Sequence, residues 1–80
     1  MATKVNFIKP GMGIEEGTIR RWLKRIGDPI VQDEPIAEIE TAKALQEIVA
    51  PVGGRLTQIL VQEGETTAVN TAIAIIYEDG

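Results

Sequence analysis

The chain has 80 residues, with eight lysines and arginines, twelve aspartates and glutamates, and no histidine or cysteine. This length predicts one small domain, and the missing residue types exclude a disulfide framework, a thiol nucleophile and the common zinc sites. The formal net charge of −4 argues against nucleic-acid binding through phosphate attraction. Because no apolar run approaches the roughly 20 residues of a membrane span and the first residues lack signal- or transit-peptide character, we expect a cytoplasmic domain.

Glycine and proline divide the chain into short apolar stretches. In chain order these are residues 5–8, 18–26, 35–40, 45–50, 55–61 and 72–77. Short stretches rich in isoleucine and valine between turn signals predict an all-β sandwich or barrel. We expect Pro29, Pro35 and Pro51 at strand starts or edges, where the ladder needs no backbone N–H.

Residues 18–26 also fit a helical pattern. Their apolar side chains recur at positions 19, 22, 23 and 26, and four basic residues occupy the other face. Periodicity alone favours an amphipathic helix here. A basic amphipathic helix would suggest a membrane surface or an acidic partner, but a solvated polar face is the commoner explanation of such charges.

An internal repeat becomes visible when the sequence is shifted by 37 residues, which places residues 17–40 over residues 54–77. Gly27 then falls on Gly64, and both copies end in an Ile-Ala-x-Ile run that starts at Ile36 or Ile73. Two such copies predict two similar half-domains packed face to face. The repeat does not choose between strand and helix for residues 18–26. Its second copy lacks the basic face, which weakens a membrane role for the first.

Between the copies, two strand-like runs at 36–39 and 46–49 flank Glu40-Thr41-Ala42-Lys43-Ala44-Leu45. This arrangement predicts a β-hairpin, although no Asn-Gly or Asp-Gly turn pair is present. A single lysine, Lys43, stands at the tip among small residues. On these residues alone, a solvated turn lysine is the simplest explanation.

The whole chain resembles the lipoyl domain of dihydrolipoyl acyltransferases, a type of domain in the biotin/lipoyl attachment family that serves 2-oxo acid and acetoin dehydrogenase complexes. The matching stretches are Gly11-Met12-Gly13-Ile14-Glu15-Glu16-Gly17-Thr18-Ile19, Trp22-Leu23-Lys24-Arg25-Ile26-Gly27-Asp28, Ile39-Glu40-Thr41-Ala42-Lys43-Ala44, Glu47-Ile48-Val49-Ala50-Pro51-Val52-Gly53-Gly54 and Ile59-Leu60-Val61-Gln62-Glu63-Gly64-Glu65. The resemblance implies a flattened barrel of two four-stranded antiparallel sheets with pseudo-twofold symmetry. It therefore favours strand for residues 18–26.

The same resemblance implies that Lys43 carries a covalently attached lipoic acid at the hairpin turn. It implies that Glu40 contributes to recognition by the lipoylating enzyme, as do Ala42 and Ala44 beside the lysine. The chemistry is sound without the family, because an exposed amine on a rigid turn can be acylated and the amide then carries a long tether into solvent. No metal site is expected.

Two glycines also match family positions. The resemblance implies that Gly27 and Gly54 shape turns beneath the hairpin and contribute to recognition by the lipoylating enzyme. Because Gly27 and Gly64 are equivalent in the repeat, we expect both to adopt a positive φ. Replacement of Gly27 is expected to impair modification as well as stability, whereas replacement of Gly64 mainly lowers stability.

Two features depart from the family pattern. The family usually has aspartate directly before the lysine, where this chain has Ala42, so an acidic group beside the attachment site is missing. The loop at residues 9–17 is slightly shorter than usual. In relatives that loop lies near the lipoyl hairpin and helps the decarboxylase to choose its carrier.

The implied function is that of a swinging-arm carrier, in which the cofactor carries the chemistry and the protein supplies a rigid mount. The implied partners are the lipoylating enzyme, a thiamine-diphosphate-dependent decarboxylase, an acyltransferase domain and a flavin-dependent dihydrolipoyl dehydrogenase. No catalytic residue is expected, because adjacent carboxylates such as Glu15-Glu16 and Asp33-Glu34 suit a turn or opposite faces. We expect Met12 as a hydrophobic plug and Trp22 as a core residue.

Two alternatives stay open. A biotinyl carrier shares the fold and the hairpin lysine, but that family has methionine on both sides of the lysine, where this chain has Ala42 and Ala44. The other alternative is an unmodified interaction domain. We expect one domain over residues 1–80, with a core at 5–77 and the start of a linker or tail at 78–80, either cut from a longer acyltransferase or free-standing.

Overall fold

The computed structural model describes residues 1–7 and 15–78, which contain eight β-strands and no helix. The strands are β1 (Ala2–Asn6), β2 (Glu16–Trp22), β3 (Pro29–Ile30), β4 (Pro35–Glu40), β5 (Leu45–Val49), β6 (Gly54–Ile59), β7 (Thr66–Ala68) and β8 (Ala72–Tyr77). Pro29 and Pro35 open strands as expected, and Pro51 lies in the connection after β5. Within the described residues, nothing forms a helix of the length and apolarity that crossing a membrane requires.

The strands form two four-stranded antiparallel sheets, which confirms the predicted architecture. One sheet has the order β1-β8-β6-β3 and the other has the order β5-β4-β2-β7. Each sheet contains two long strands from one copy of the repeat and one short strand from the other copy. The halves therefore interlock, because β3 of the first copy pairs with β6 and β7 of the second copy pairs with β2.

Backbone hydrogen bonds repeat across the pseudo-twofold axis. The N–H of Gly27 donates to the Leu56 carbonyl over 2.7 Å, and the N–H of Gly64 donates to the Ile19 carbonyl over the same distance. Both glycines adopt a positive φ, at 97° and 86°, which confirms that expectation. The 37-residue repeat in sequence is thus a repeat in backbone conformation.

Strand β2 contradicts the helical periodicity of residues 18–26, and a β-bulge is the reason. The pairing of β2 with β4 changes register between Ile19 and Arg21, so Arg20 and Arg21 are both exposed before the half-buried Trp22. A bulge inserts one residue into the alternation and increases the local twist. Ile19 and Trp22 then face the core three positions apart, which is also the spacing of residues on one face of a helix. The strand ends at Trp22, earlier than the predicted stretch, which runs to Ile26.

The hydrophobic core fills the space between the sheets. The buried apolar residues are Val5, Phe7, Ile19, Ile30, Ile36, Ala37, Ile39, Ile48, Ala50, Leu56, Val61, Ile73, Ala74 and Ile76. Trp22 is only partly buried and packs against this cluster, so the expectation of a core residue holds in part. The Met12 expectation lies outside the described residues.

The residues at both described ends of the chain take part in the fold. Strand β1 begins at Ala2, three residues before the predicted core. The N–H of Glu78 donates to the Met1 carbonyl over 2.7 Å, and its carboxylate accepts a hydrogen bond from the Thr3 hydroxyl over 2.6 Å. These two hydrogen bonds hold Glu78 against the first residues of the chain.

Candidate functional site

Lys43 lies on the tight turn that joins β4 to β5. Glu40 and Leu45 are the last paired residues of the two strands, so residues 41–44 alone form the turn. The N–H of Thr41 donates to the carbonyl of Ala44 over 2.9 Å and closes it. The structure therefore places the predicted attachment lysine at a hairpin tip.

The side chain of Thr41 organises this turn from inside. It is 8 % exposed, and its hydroxyl oxygen accepts hydrogen bonds from the N–H groups of Lys43 (3.3 Å) and Ala44 (3.2 Å). The same hydroxyl donates to the Ala44 carbonyl over 3.0 Å. The sequence interpretation gave this residue no role. The preference of threonine for local side-chain-to-backbone hydrogen bonds in turns was the signal available.

The Lys43 side chain is presented to solvent. Lys43 and its neighbours Ala42 and Ala44 are all exposed. Within residues 1–7 and 15–78, the Lys43 ammonium group makes no hydrogen bond or ion pair. The backbone beneath it is fixed while the amine itself is free, which is the arrangement that an acyl acceptor requires.

An acidic groove lies beside the turn. Its volume is about 450 Å³, and its walls include the carboxylates of Glu15, Glu16 and Glu40. Glu40 also forms an exposed ion pair with Arg20, whose Nη1 lies 3.2 Å from Oε1. The predicted recognition residue Glu40 is therefore one of three carboxylates on a common surface.

Cross-strand pairing assembles this acidic groove. Thr18 pairs with Glu40 on one side and with Thr66 on the other, and the two threonine hydroxyls lie 2.8 Å apart. The sequence interpretation treated Glu15-Glu16 as ordinary turn or surface charges. Nothing in the local sequence reveals that β2 lies between β4 and β7, so the grouping with Glu40 was missed.

Gly27 and Gly54 both lie against the sheet that does not contain the Lys43 hairpin. Gly54 begins β6 at a φ of 152°, and a Cβ there would overlap the carbonyl oxygen of Tyr77, in the sheet that does not contain Lys43. Gly27 likewise bonds to Leu56 of that sheet. The interlocking of the halves places Gly27 there, because it carries the turn before β3 onto the sheet of the other copy, whereas Gly54 lies in the sheet of its own copy. Gly64, bonded to Ile19 of β2, is the turn glycine on the Lys43 side.

Gly17 is the glycine that packs under the Lys43 hairpin. A Cβ at this position would lie 2.9 Å from the side chain of Ile39 and 3.2 Å from the carbonyl oxygen of Glu40. It is the repeat equivalent of Gly54. Each glycine thus allows a close approach to the last strand of its own copy.

Three further points of the sequence interpretation concern the loop at 9–17, metal binding and the pair Asp33-Glu34. The departure noted for the loop at 9–17 lies mostly outside the described residues, which resume at Glu15. Among the described residues, no group of acidic side chains is arranged to hold a metal ion. Asp33 and Glu34 lie in the connection between β3 and β4, away from the acidic groove.

Comparison with known proteins places the chain among attachment domains. The biotin/lipoyl family model, described as "Biotin-requiring enzyme", matches residues 3–76. The chain is 34 % identical over 76 residues to the succinyltransferase component of the 2-oxoglutarate dehydrogenase complex of Bartonella vinsonii, and the match covers 95 % of this chain and 18 % of that relative. It is 43 % identical over 76 residues to the dihydrolipoyllysine-residue acetyltransferase component of the acetoin cleaving system of Bacillus subtilis, covering 95 % and 19 %. The chain thus spans less than a fifth of the length of these relatives.

A solved structure gives the same result for the fold. The lipoyl domain of the 2-oxoglutarate dehydrogenase complex of Azotobacter vinelandii superposes with a TM-score of 0.73 at 29 % sequence identity. The superposition covers 95 % of this chain and 99 % of that domain. The similarity in fold therefore extends over essentially the whole of that domain.

Proposed function

The chain belongs to the biotin/lipoyl attachment family, and we propose that it is a lipoyl carrier domain whose attachment residue is Lys43. One observation carries the assignment to this residue. Lys43 stands at the apex of a turn that Thr41 fixes from inside, and its side chain is exposed and makes no hydrogen bond or ion pair with the described residues.

The residues of the turn fit a covalently attached lipoyl group. An amide forms when the Lys43 nitrogen attacks the carboxyl carbon of an activated lipoyl donor, and the amine loses a proton as the leaving group departs. Ala42 and Ala44 present no bulk beside the amine, and Ala42 also lines the acidic groove. When bound, the lipoyl group supplies a disulfide that accepts acyl groups and electrons. The protein holds the attachment point and presents the surface around it.

A lipoyl group is favoured over biotin. The relatives described above are named for dihydrolipoyllysine residues or for 2-oxo acid dehydrogenase complexes. Ala42 and Ala44 also occupy the positions at which biotinyl carriers have methionine. The unmodified interaction domain remains an outcome that the experiment below detects.

We place the carrier in a 2-oxo acid or acetoin dehydrogenase complex, as a non-catalytic domain over residues 1–80. Its partners there are a lipoylating enzyme, a thiamine-diphosphate-dependent decarboxylase, an acyltransferase domain and a flavin-dependent dihydrolipoyl dehydrogenase. A carrier tethered within such a complex meets its partners at high effective concentration, so weak docking is sufficient.

Intact-mass measurement tests the assignment. The purified chain is incubated with a lipoate–protein ligase, lipoate and ATP, and in parallel with a biotin–protein ligase and biotin. We expect one lipoyl increment in the wild type and in Lys4→Arg, the matched control at another exposed lysine. Lys43→Arg keeps the positive charge but loses the increment. A biotinyl increment, no increment, or lipoylation of Lys43→Arg would contradict the proposal.

A further inference from the structure

A second concave surface lies near the pseudo-twofold axis, where the segments that follow β2 and β6 meet. Its volume is about 530 Å³, and residues 22–26 of the first segment and 59–63 of the second contribute its walls. We call it the Trp22 groove. No residue of the Lys43 turn lines it. The carrier function proposed above gives this surface no role.

The Trp22 groove has an apolar floor held in a fixed position. The indole N–H of Trp22 donates to the Val61 carbonyl over 2.9 Å, and the backbone N–H of Trp22 donates to the Glu63 carboxylate over 3.0 Å. Ile59 is partly buried next to it. Ile26 completes the apolar wall and is 61 % exposed. Such side chains offer binding area to an apolar group at low entropic cost, because the indole hydrogen bond already restrains the tryptophan ring.

Comparison of the two copies singles out Arg25 and Ile26. Their repeat equivalents, Gln62 and Glu63, both serve the fold through their side chains: Nε2 of Gln62 lies 3.5 Å from the Ile59 carbonyl, and Glu63 binds Trp22. The Arg25 side chain makes no hydrogen bond or ion pair within the described residues, and the Ile26 side chain is largely exposed and contributes little to the core. The fold therefore does not explain why a cation and an exposed branched apolar residue stand here.

Arg25 places a positive charge at the edge of the Trp22 groove, although the chain has a net negative charge. The basic cluster of residues 20–25 splits in the structure, since Arg20 pairs with Glu40 and Lys24 pairs with Glu34. Arg21 and Arg25 have no ion-pair partner among the described residues, and of these two only Arg25 lines the groove. On a chain of net charge −4, an unpaired guanidinium beside an apolar floor complements a carboxylate next to a bulky apolar group.

We propose that the Trp22 groove binds an extended acidic peptide segment of a partner protein. Its bulky apolar side chain packs on Trp22, Ile26 and Ile59, and an adjacent aspartate or glutamate binds the Arg25 guanidinium. An anionic membrane fits less well, because such surfaces attract clusters of roughly four to eight basic residues, whereas Arg25 is the one unpaired basic residue that lines this groove among the described residues. This docking does not involve Lys43, so it positions the domain whether or not the lysine carries its cofactor.

Nuclear magnetic resonance titration tests the proposal on the 80-residue chain. The probe is a terminally blocked Glu-Leu-Glu peptide, with Gln-Leu-Gln as its uncharged control. We expect the acidic peptide to shift the indole N–H of Trp22 and the amides of the groove, and to leave the Lys43 turn unchanged. The same shifts are expected in Lys43→Arg, which separates this result from the outcome for the carrier function. Salt should weaken the binding, as it does for any exposed charge pair.

Two pairs of exposed variants locate the contact. Arg25→Gln should weaken binding of the acidic peptide by roughly fivefold, a typical loss for one partly screened charge contact. Arg21→Gln should leave the affinity unchanged. Ile26→Gln should also weaken binding, whereas Val31→Gln, changed at a residue of similar exposure, does not. Equal shifts with both peptides, equal losses in both arginine variants, or binding only to phosphatidylglycerol vesicles would overturn the proposal.

Discussion

The Lys43 turn and the meeting point of the two chain ends occupy equivalent places in the two halves. In the turn, the N–H of Thr41 donates to Ala44 over 2.9 Å, and at the chain ends the N–H of Glu78 donates to Met1 over 2.7 Å. Both bonds extend the pairing of a copy's last strand, β4 or β8, with an edge strand. The backbone hydrogen bonding is therefore the same at both ends of the molecule. Only one of the two ends is closed by a turn that carries a lysine.

The side chains make the two ends of the molecule chemically different. Glu40 ends β4 and pairs across strands with Thr18, whereas its equivalent Tyr77 ends β8 and pairs with Arg55. One end of the molecule is thus acidic and polar, and the other presents an aromatic ring beside a guanidinium. Because the backbone is nearly the same at both ends, the side chains decide which end can have a function.

The largest expected difference between the ends concerns Gly17, which is buried, and its repeat equivalent Gly54, which is half-buried. Gly54→Ala should cost roughly 3 kcal/mol or more, because a Cβ there overlaps the Tyr77 backbone at an unfavourable φ. Gly17→Ala should cost about 1–2 kcal/mol, because the obstacle is mainly the Ile39 side chain, which can shift slightly. Urea unfolding followed by Trp22 fluorescence measures both. Equal losses would show that the two ends are packed alike.

Replacing Thr41 tests what makes the Lys43 end rigid. Thr41→Val keeps the shape and removes the hydroxyl that binds Lys43 and Ala44, so we expect a loss of about 1–2 kcal/mol. Lipoylation should slow by more than the unfolded fraction explains, because the lysine backbone loses a hydrogen bond. Thr57→Val is the matched control: its exposed hydroxyl binds Ile75 in the other sheet over 3.1 Å. Normal lipoylation of Thr41→Val would assign Thr41 to stability alone.

The turn glycines Gly27 and Gly64 give a smaller and more symmetrical effect. Neither would bring a Cβ within 4 Å of another group, so only the positive φ opposes alanine. We expect Gly27→Ala and Gly64→Ala each to cost about 1 kcal/mol. Slower lipoylation is expected only in Gly64→Ala, because Gly64 is bonded to β2, which neighbours the hairpin strand β4. A loss confined to Gly27→Ala would instead support the original sequence expectation.

Sequence patterns predicted most of the strands and the repeat, because burial on one face and turn residues leave local signals. They failed where the structure is non-local. The short strands β3 and β7 are two and three residues long and carry no alternation that a pattern could detect. Their pairing interlocks the halves and moves the turn glycines to the opposite sheets. The bulge after Ile19 gave strand β2 a helical spacing, which the family resemblance corrected and periodicity could not.

In the candidate site, too, local features were predictable from the sequence and non-local ones were not. Lys43 was predictable because a lone lysine in a turn between two strands, in a matching motif, is visible in the sequence. The acidic groove was not, because Glu15 and Glu40 are 25 positions apart and meet only through the pairing of β2 with β4. Thr41 was overlooked for a different reason: its side chain bonds to backbone atoms, and a motif records the residue without its bonds.

The smallest expected effect concerns Ala42, the residue that departs from the family pattern. Ala42 is exposed, so Ala42→Asp should change stability by no more than about 0.5 kcal/mol. The new carboxylate would extend the acidic surface that Glu40 begins, and Arg20 already offsets part of the charge of Glu40. We therefore expect lipoylation at an equal or higher rate, with the increase reduced by salt.

Ala44→Asp is the matched control, since Ala44 is exposed on the other side of the lysine and does not line the acidic groove. If the enzyme reads the groove, the aspartate at position 42 increases the rate and the one at position 44 does not. Equal increases in both variants would mean that the enzyme responds to net charge near the lysine. A slower rate in Ala42→Asp would show that the lipoylating enzyme of this chain prefers the neutral neighbour.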